Sequence, residues 1–209
     1  VSTKEVVVVD LGAGNLRSVA RALERAGAVA TISNDPDAVL RASRVVVPGQ
    51  GAFRDGALAL ERGFGDALRE VIRRGTPYLG LCIGMQLLLD ESEEAPGKRG
   101  LGVVRGCVKR FAPDLLGPHG ERLKVPHMGW NEVRGQHRYL PERAWFYFVH
   151  SYYCAPADPA VVVGTAQYGH PFCASFAQDN VFACQFHPEK SQGEGHDLLS
   201  RFIEDTSWS

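Results

Sequence analysis

Residues 76–90, TPYLGLCIGMQLLLD, hold the turn on which the chain is built. Residues 77–81 form a short apolar run of strand type, and 83–90 open as a helix with Met85, Leu88 and Leu89 on one stripe. Between them stands Cys82, inside Gly80-Leu81-Cys82-Ile83-Gly84. This is a glycine–x–nucleophile–x–glycine pattern with sulfur in place of a serine oxygen. The two glycines remove Cβ atoms that would obstruct a tight, strained turn from strand to helix. Such a turn lifts the thiol out of the sheet, toward solvent or substrate. It also sets the sulfur beside a helix N-terminus, where free backbone N–H groups favour a thiolate and can hold a developing oxyanion. The bland alternative is a structural cysteine in a core strand, since free cysteines are among the most buried residues. The glycines alone do not choose between the two. A motif far downstream does.

A chain of 209 residues, 44% of them hydrophobic, suffices for one well-packed domain over 1–209. The formal net charge of −1 and the lack of a long basic run argue against a polyanion partner such as nucleic acid. The early apolar run at 6–9 is bounded by Glu5 and Asp10, so it is neither a signal-peptide core nor a membrane span. Five cysteines at irregular spacing, with no C-x-x-C pair, fit neither a disulfide framework nor a zinc site. A reducing, cytoplasmic setting is expected, with no metal and no cofactor, and with the other four cysteines as small buried hydrophobes.

The first ninety residues alternate strands with helices. Residues 5–10 are a valine run typical of a strand buried on both faces. Gly12-Ala13-Gly14-Asn15 follows, then a helix from about 16 to 26. Arg17 stands where a dinucleotide fingerprint needs its third glycine, which argues against a nucleotide site. A strand at 28–32, a helix capped by Asp35-Pro36 and running to about 40, and a strand at 44–47 come next. That strand ends in Pro48-Gly49-Gln50-Gly51-Ala52-Phe53, a glycine-rich loop that lets backbone N–H groups approach a ligand. A helix over 64–74, closed by Gly75, leads into the cysteine strand. This rhythm predicts an α/β fold, with a mainly parallel central sheet flanked by helices and its ligand at the carboxyl ends of the strands. From about residue 100 the texture changes to short strands, at 103–111, 123–125, 145–153, 161–168, 171–177 and 181–186, which add antiparallel ribbons in the C-terminal half. Residues 93–98 and 113–120 read as polar or Pro/Gly-rich connections, and a helix over 195–203 closes the chain.

The strand at 181–186 runs into His187-Pro188-Glu189. In extended chain, residues two apart point the same way, so Glu189 can reach the near nitrogen of the His187 ring and leave the far one for sulfur. Pro188 biases His187 toward that extended geometry. Cys82, His187 and Glu189 are then nucleophile, acid/base and orienter.

Gly80-Leu81-Cys82-Ile83-Gly84-Met85-Gln86 together with Phe186-His187-Pro188-Glu189 resembles the class I (triad) glutamine amidotransferases. More narrowly, the chain resembles the glutaminase subunits of imidazole glycerol phosphate synthase. The segments that carry this are Gly12–Asn15, the 48–53 loop, His127-Met128-Gly129-Trp130-Asn131, Phe148-Val149-His150-Ser151-Tyr152 and 185–191. The resemblance implies the class I glutamine amidotransferase fold and hydrolysis of glutamine through a glutamyl thioester on Cys82. It implies an oxyanion site from the backbone of Ile83 and of Gln50 or Gly51. Substrate contacts are implied at Gly49, Gln86, His150, Ser151 and Tyr152. It further implies a heterodimer with a (β/α)₈-barrel cyclase subunit that receives the ammonia, docked through Asn15, Ser18, Trp130, Asn131, Tyr147 and Lys190. The chain is expected to end where such a glutaminase ends. Valine is usual in the family at Gln50, so the gating of this loop is where the chain departs from the pattern. The HMGWN and FVHSYY stretches speak against glutaminases of other pathways, and the complete triad against an idle scaffold subunit. A stand-alone hydrolase of another γ-glutamyl compound would be marked by high activity without a partner.

Overall fold

This computed structural model describes residues 4–12 and 14–207; Ala13, within the expected glycine turn, lies outside them. The parallel half of the sheet is built from apolar runs. β1 (Glu5–Val9) pairs in parallel with β2 (Val29–Ser33) and β3 (Val45–Val47), and β3 with β4 (Tyr78–Leu81). Successive side chains enter opposite layers, as the strand period of two requires. Val8, Val46 and Leu79 pack on α1 (Leu16–Arg25) and α6 (Gln192–Glu204), while Val9, Val45, Val47 and Tyr78 face the other way. That second layer holds α2 (Pro36–Leu40), α3 (Phe53–Ala59) and α4 (Gly65–Arg73).

α3 was not expected, because Gly56 and Gly63 interrupt the helical pattern between the glycine loop and residue 64. Gly56 is small because Leu87 packs on it: a Cβ there would lie 2.7 Å from the Leu87 Cδ1. A short π-helical segment (Leu60–Phe64) joins α3 to α4. The helix expected over 83–90 is cut to one turn, α5 (Ile83–Gln86). The carbonyls of Leu87, Leu88 and Leu89 accept instead from the backbone N–H groups of residues 101–104, which peels the chain away from the helical path.

β12 (Val181–Cys184) lies parallel to β4, with Cys184 opposite Leu81. This one pairing brings the ends of two remote segments to the same edge. Beyond β12 the sheet turns antiparallel through β11 (His170–Gln178), β10 (Val162–Tyr168), β7 (His127–Gly135) and β8 (Arg143–His150). A branch of β5 (Glu91–Ser92), β6 (Gly106–Arg110) and β9 (Tyr152–Pro156) hangs from β11. The described residues thus form a twelve-stranded sheet in the order β2-β1-β3-β4-β12-β11-β10-β7-β8 plus that branch. It is the expected α/β architecture, but β5 and β7 fall where no strand is expected, and three of the expected strands change. Residues 123–125 form no strand, because Leu123 N–H bonds back to the Leu115 carbonyl in a local loop. The strand expected over 145–153 is broken at Ser151, where β8 gives way to β9. The strand expected over 103–111 is confined to β6. No helix of the described residues is long and apolar enough to cross a membrane.

Candidate active site

Cys82 follows β4 with φ 52° and ψ −104°, a conformation residues with side chains rarely adopt. Its two glycines make room for it. A Cβ on Gly84 would lie 1.8 Å from the Val47 carbonyl oxygen, and one on Gly80 would lie 2.7 Å from the Gly84 carbonyl oxygen. Close backbone approach therefore demands them. The Cys82 N–H donates to the Cys184 carbonyl at 2.8 Å, which pins the elbow to the end of β12. Its sulfur lines a cavity of about 390 Å³, of the size that takes a small ligand.

Past β12 the chain turns through Gln185 and His187 into a 3₁₀ turn, Pro188–Lys190. His187 Nδ1 lies 2.9 Å from Glu189 Oε1, and both side chains are almost wholly buried. Burial opposes the charged imidazole, but the neighbouring Cys82 sulfur and the bonded Glu189 carboxylate outweigh it and hold His187 well above its ordinary pKa. Nε2, the other ring nitrogen, is buried without a closed hydrogen bond. Catalytic hydrogen bonds are commonly slack before substrate binds. Backbone bonds fix the ring's base: His187 N–H donates to the Tyr147 carbonyl at 2.9 Å. The Ser191 hydroxyl accepts from Tyr147 N–H at 3.0 Å and donates to the His187 carbonyl at 2.6 Å.

Two amides extend from the sulfur. Gln185 Nε2 donates to Cys82 Sγ at 3.5 Å, and Gln86 Nε2 donates to Gln185 Oε1 at 3.1 Å and to the Tyr152 carbonyl at 3.2 Å. Gln86 Oε1 is left as a buried acceptor with no partner, and Gln86 lines the cavity. Gln50, Gly51, Ile83, His150, Ser151, Tyr152 and Lys190 also line it. Gly49 stands behind this wall: a Cβ there would lie 2.5 Å from Ile83 Cβ. Gly51 has φ 121°, which only glycine holds without strain. Glu94 is in the wall as well, with Oε2 accepting from Phe53 N–H at 2.7 Å. Sequence reasoning passed over it because it sits in an ordinary acidic connection.

The model of the family "Glutamine amidotransferase class-I" matches residues 7–206. Imidazole glycerol phosphate synthase subunit HisH of Methylococcus capsulatus is 51% identical, covering 98% of this chain and 98% of its own length. The HisH subunit of Geobacter sulfurreducens is 47% identical over 96% of this chain and 98% of its own. This chain belongs to the HisH subunits of the class-I glutamine amidotransferase family. In fold it is also similar to a glutamine amidotransferase crystal structure that is 24% identical, with a TM-score of 0.74 over 95% of this chain and 97% of the other.

The remaining residues singled out in this HisH sequence fall at the start of α1, on the outer face of β7 and β8, and in the 3₁₀ turn. Asn15 caps α1 by accepting from Ser18 N–H at 3.4 Å, and its neighbour Gly14 lies against the glycine loop, where a Cβ would be 3.5 Å from Gln50 N. Trp130 and Tyr147 pair across β7 and β8 with ring centroids 6.2 Å apart, and Lys190 Nζ stands 5.8 Å from the Tyr147 ring. Asn131 is the exception. The strand period turns it to the opposite face from Trp130, where its amide bonds the Gln167 carbonyl. Met128 and Trp145, 61% and 56% exposed, share the Trp130 face and were not foreseen.

On Asn131's face lie two buried histidines. Burial lowers the pKa of His127 to about 4 and that of His150 to about 3, from an ordinary 6.5. Both are neutral in the fold and take up protons on unfolding below pH 6.5. The unfolded state therefore binds more protons between about pH 4 and 6.5, and stability falls on acidification through that window, by up to about 3 kcal/mol per pH unit from the pair. Urea midpoints at about pH 7 and about pH 5 check this; a midpoint that stays put contradicts it.

Proposed function

We propose that this HisH chain is the glutaminase of imidazole glycerol phosphate synthase, acting in the cytoplasm in histidine biosynthesis. It hydrolyses glutamine to glutamate and ammonia and passes the ammonia to a (β/α)₈-barrel cyclase subunit. There a phosphoribosyl-formimino carboxamide ribotide becomes imidazole glycerol phosphate and an aminoimidazole carboxamide nucleotide. The observation that carries the reading is the meeting of Cys82 and His187 in one cavity, with Glu189 bonded to the His187 ring from behind and the unpartnered Gln86 Oε1 alongside.

In the reacting pair of this cycle the sulfur of Cys82 is the nucleophile and His187 carries the proton. Sulfur attacks the side-chain amide carbon, and the carbonyl electron pair moves onto oxygen, held by the backbone N–H of Ile83 and of Gln50 or Gly51. Collapse breaks the C–N bond, and the nitrogen leaves as ammonia with the imidazolium proton, forming a glutamyl thioester. Water then loses a proton to His187 and displaces the thiolate, releasing glutamate and a proton. Glu189 accepts from Nδ1–H throughout and keeps the ring in place. Gln86 Oε1 suits an N–H of the substrate, and Glu94, a carboxylate in the cavity wall, suits its α-ammonium group. His150, Ser151 and Tyr152 surround the rest, with Gly49 behind the wall at Ile83.

Free ammonia is mostly ammonium in neutral water and has no lone pair for attack, so the cavity needs a cover. Met128, Trp130, Tyr147, Val149 and Trp145 form a contiguous, partly apolar face, and Val149 and Lys190 belong to the cavity wall too. A partner on this face closes the cavity, with Asn15 and Ser18 at its margin. Glutamate release, with the cyclase subunit and its nucleotide ligand added in turn, tests the reading. Near silence alone and strong activation with both supports it. Brisk hydrolysis indifferent to the partner would keep the triad and remove the partner.

A further inference from the structure

His127 and His150 form a hydrogen-bonded pair whose direction is set by backbone carbonyls at both ends. His150 Nδ1 is 2.8 Å from the Tyr152 carbonyl oxygen, which can only accept, so Nδ1 carries the proton. At the other end Asn131 Nδ2 donates to the Gln167 carbonyl at 2.8 Å, which fixes the sense of that amide. The same Nδ2 lies 3.3 Å from His127 Nε2, which must therefore be bare. His127 Nδ1 and His150 Nε2 are 2.9 Å apart between these ends. One assignment satisfies every contact: both rings neutral, each with its proton on Nδ1. A proton on His127 Nε2 would oppose the Asn131 N–H, and one on His150 Nε2 would oppose the His127 N–H.

The Tyr152 carbonyl that ends this line also accepts from Gln86 Nε2, at 3.2 Å. That bond, with the one to Gln185, turns Gln86 Oε1 away as the free buried acceptor. We infer that His127 and His150 are positioning residues for glutamine, a single-tautomer strut that holds the Tyr152 carbonyl where it orients the Gln86 amide. The inference rests on the glutaminase reading. It gives β7, whose other face carries Met128 and Trp130, a polar route into the substrate pocket.

His127 is outside the cavity wall and stacks between aromatic rings, 4.9 Å from Phe148 and 4.0 Å from Tyr168, so phenylalanine fits its place. Side-chain ¹⁵N spectra of the histidine-labelled chain should show both rings neutral, with Nδ1–H, at neutral pH. A proton on Nε2 of either ring overturns the strut. In partner-stimulated glutaminase assays, His127→Phe should raise KM for glutamine about 10-fold with kcat within about 3-fold, and His127→Asn, which keeps an N–H near Nδ1, should restore most of it. Loss of folded enzyme would instead lower kcat and spare KM. An unchanged KM in His127→Phe, or an equal rise in both variants, overturns the proposal. A wild-type chain without glutaminase activity would sink the functional reading, and the spectra would still judge the tautomers.

Discussion

Replacing Cys82 with alanine is expected to lower glutamine hydrolysis by at least about 10⁴-fold, because the nucleophile and the covalent route go together. The fold should survive. Alanine meets the same φ of 52° that cysteine already bears, and it gives up a long, weak contact, the 3.5 Å bond from Gln185 Nε2 to the sulfur. No other thiol can stand in. Burial keeps Cys154 and Cys184 protonated and pushes Cys173 up to about 12, and Cys107, partly exposed on β6, lies outside the cavity. Two measurements separate lost chemistry from lost structure: glutamate release in the presence of the cyclase subunit, and glutamine binding by calorimetry. Binding within a few-fold of wild type with hydrolysis abolished is the expected result. Residual turnover near the wild-type rate would refute the thioester mechanism outright.

The parts of this site that lie in one stretch of chain are legible without coordinates. Gly80 and Gly84 announce the elbow, and His187-Pro188-Glu189 announces a bonded pair, because both depend on neighbours in sequence. The β4–β12 pairing that joins them is not local, yet it follows once residues 77–81 and 181–186 are read as buried strands of one parallel sheet. Legibility ends where tertiary contacts overrule local pattern. Residues 87–90 look helical, but their carbonyls find partners in residues 100–104. Residues 53–59 look like loop, but Gly56 is there to admit Leu87. Glu94 reaches the cavity, and Gln185 the Cys82 sulfur, from positions that carry no periodic signal. Asn131 stands next to Trp130 in the motif and belongs to the opposite face, a distinction that the register of β7 on β8 makes visible. Cys107 departs from the expectation that the spare cysteines are buried, because β6 belongs to the outlying branch of the sheet.

Glu189→Gln is expected to fold and to lose about 10³- to 10⁴-fold in kcat. The carboxylate accepts from Nδ1–H at 2.9 Å, which leaves Nε2 for the sulfur side. A carboxamide can meet Nδ1 with its NH₂ group instead, so the ring holds its proton on Nε2 and cannot receive one there. The missing charge acts as well. Burial works against the imidazolium, and Cys82 and Glu189 together overcome it. With one of them neutral, the His187 pKa falls. The reactive form in the proposed cycle is thiolate with imidazolium, so activity fails when His187 loses its proton as pH rises. The alkaline limb of kcat/KM should therefore move to lower pH, whereas a packing defect would scale the curve without shifting it. Linkage gives an independent sign. A folded pKa raised above about 6.5 contributes stability that is complete below that pH and is lost as pH climbs through the folded value. The stability difference between wild type and variant should accordingly be largest at neutral and lower pH, and should fade on the alkaline side. An alkaline limb that stays where it was would make Glu189 a structural acid and leave the tautomer of His187 to other contacts.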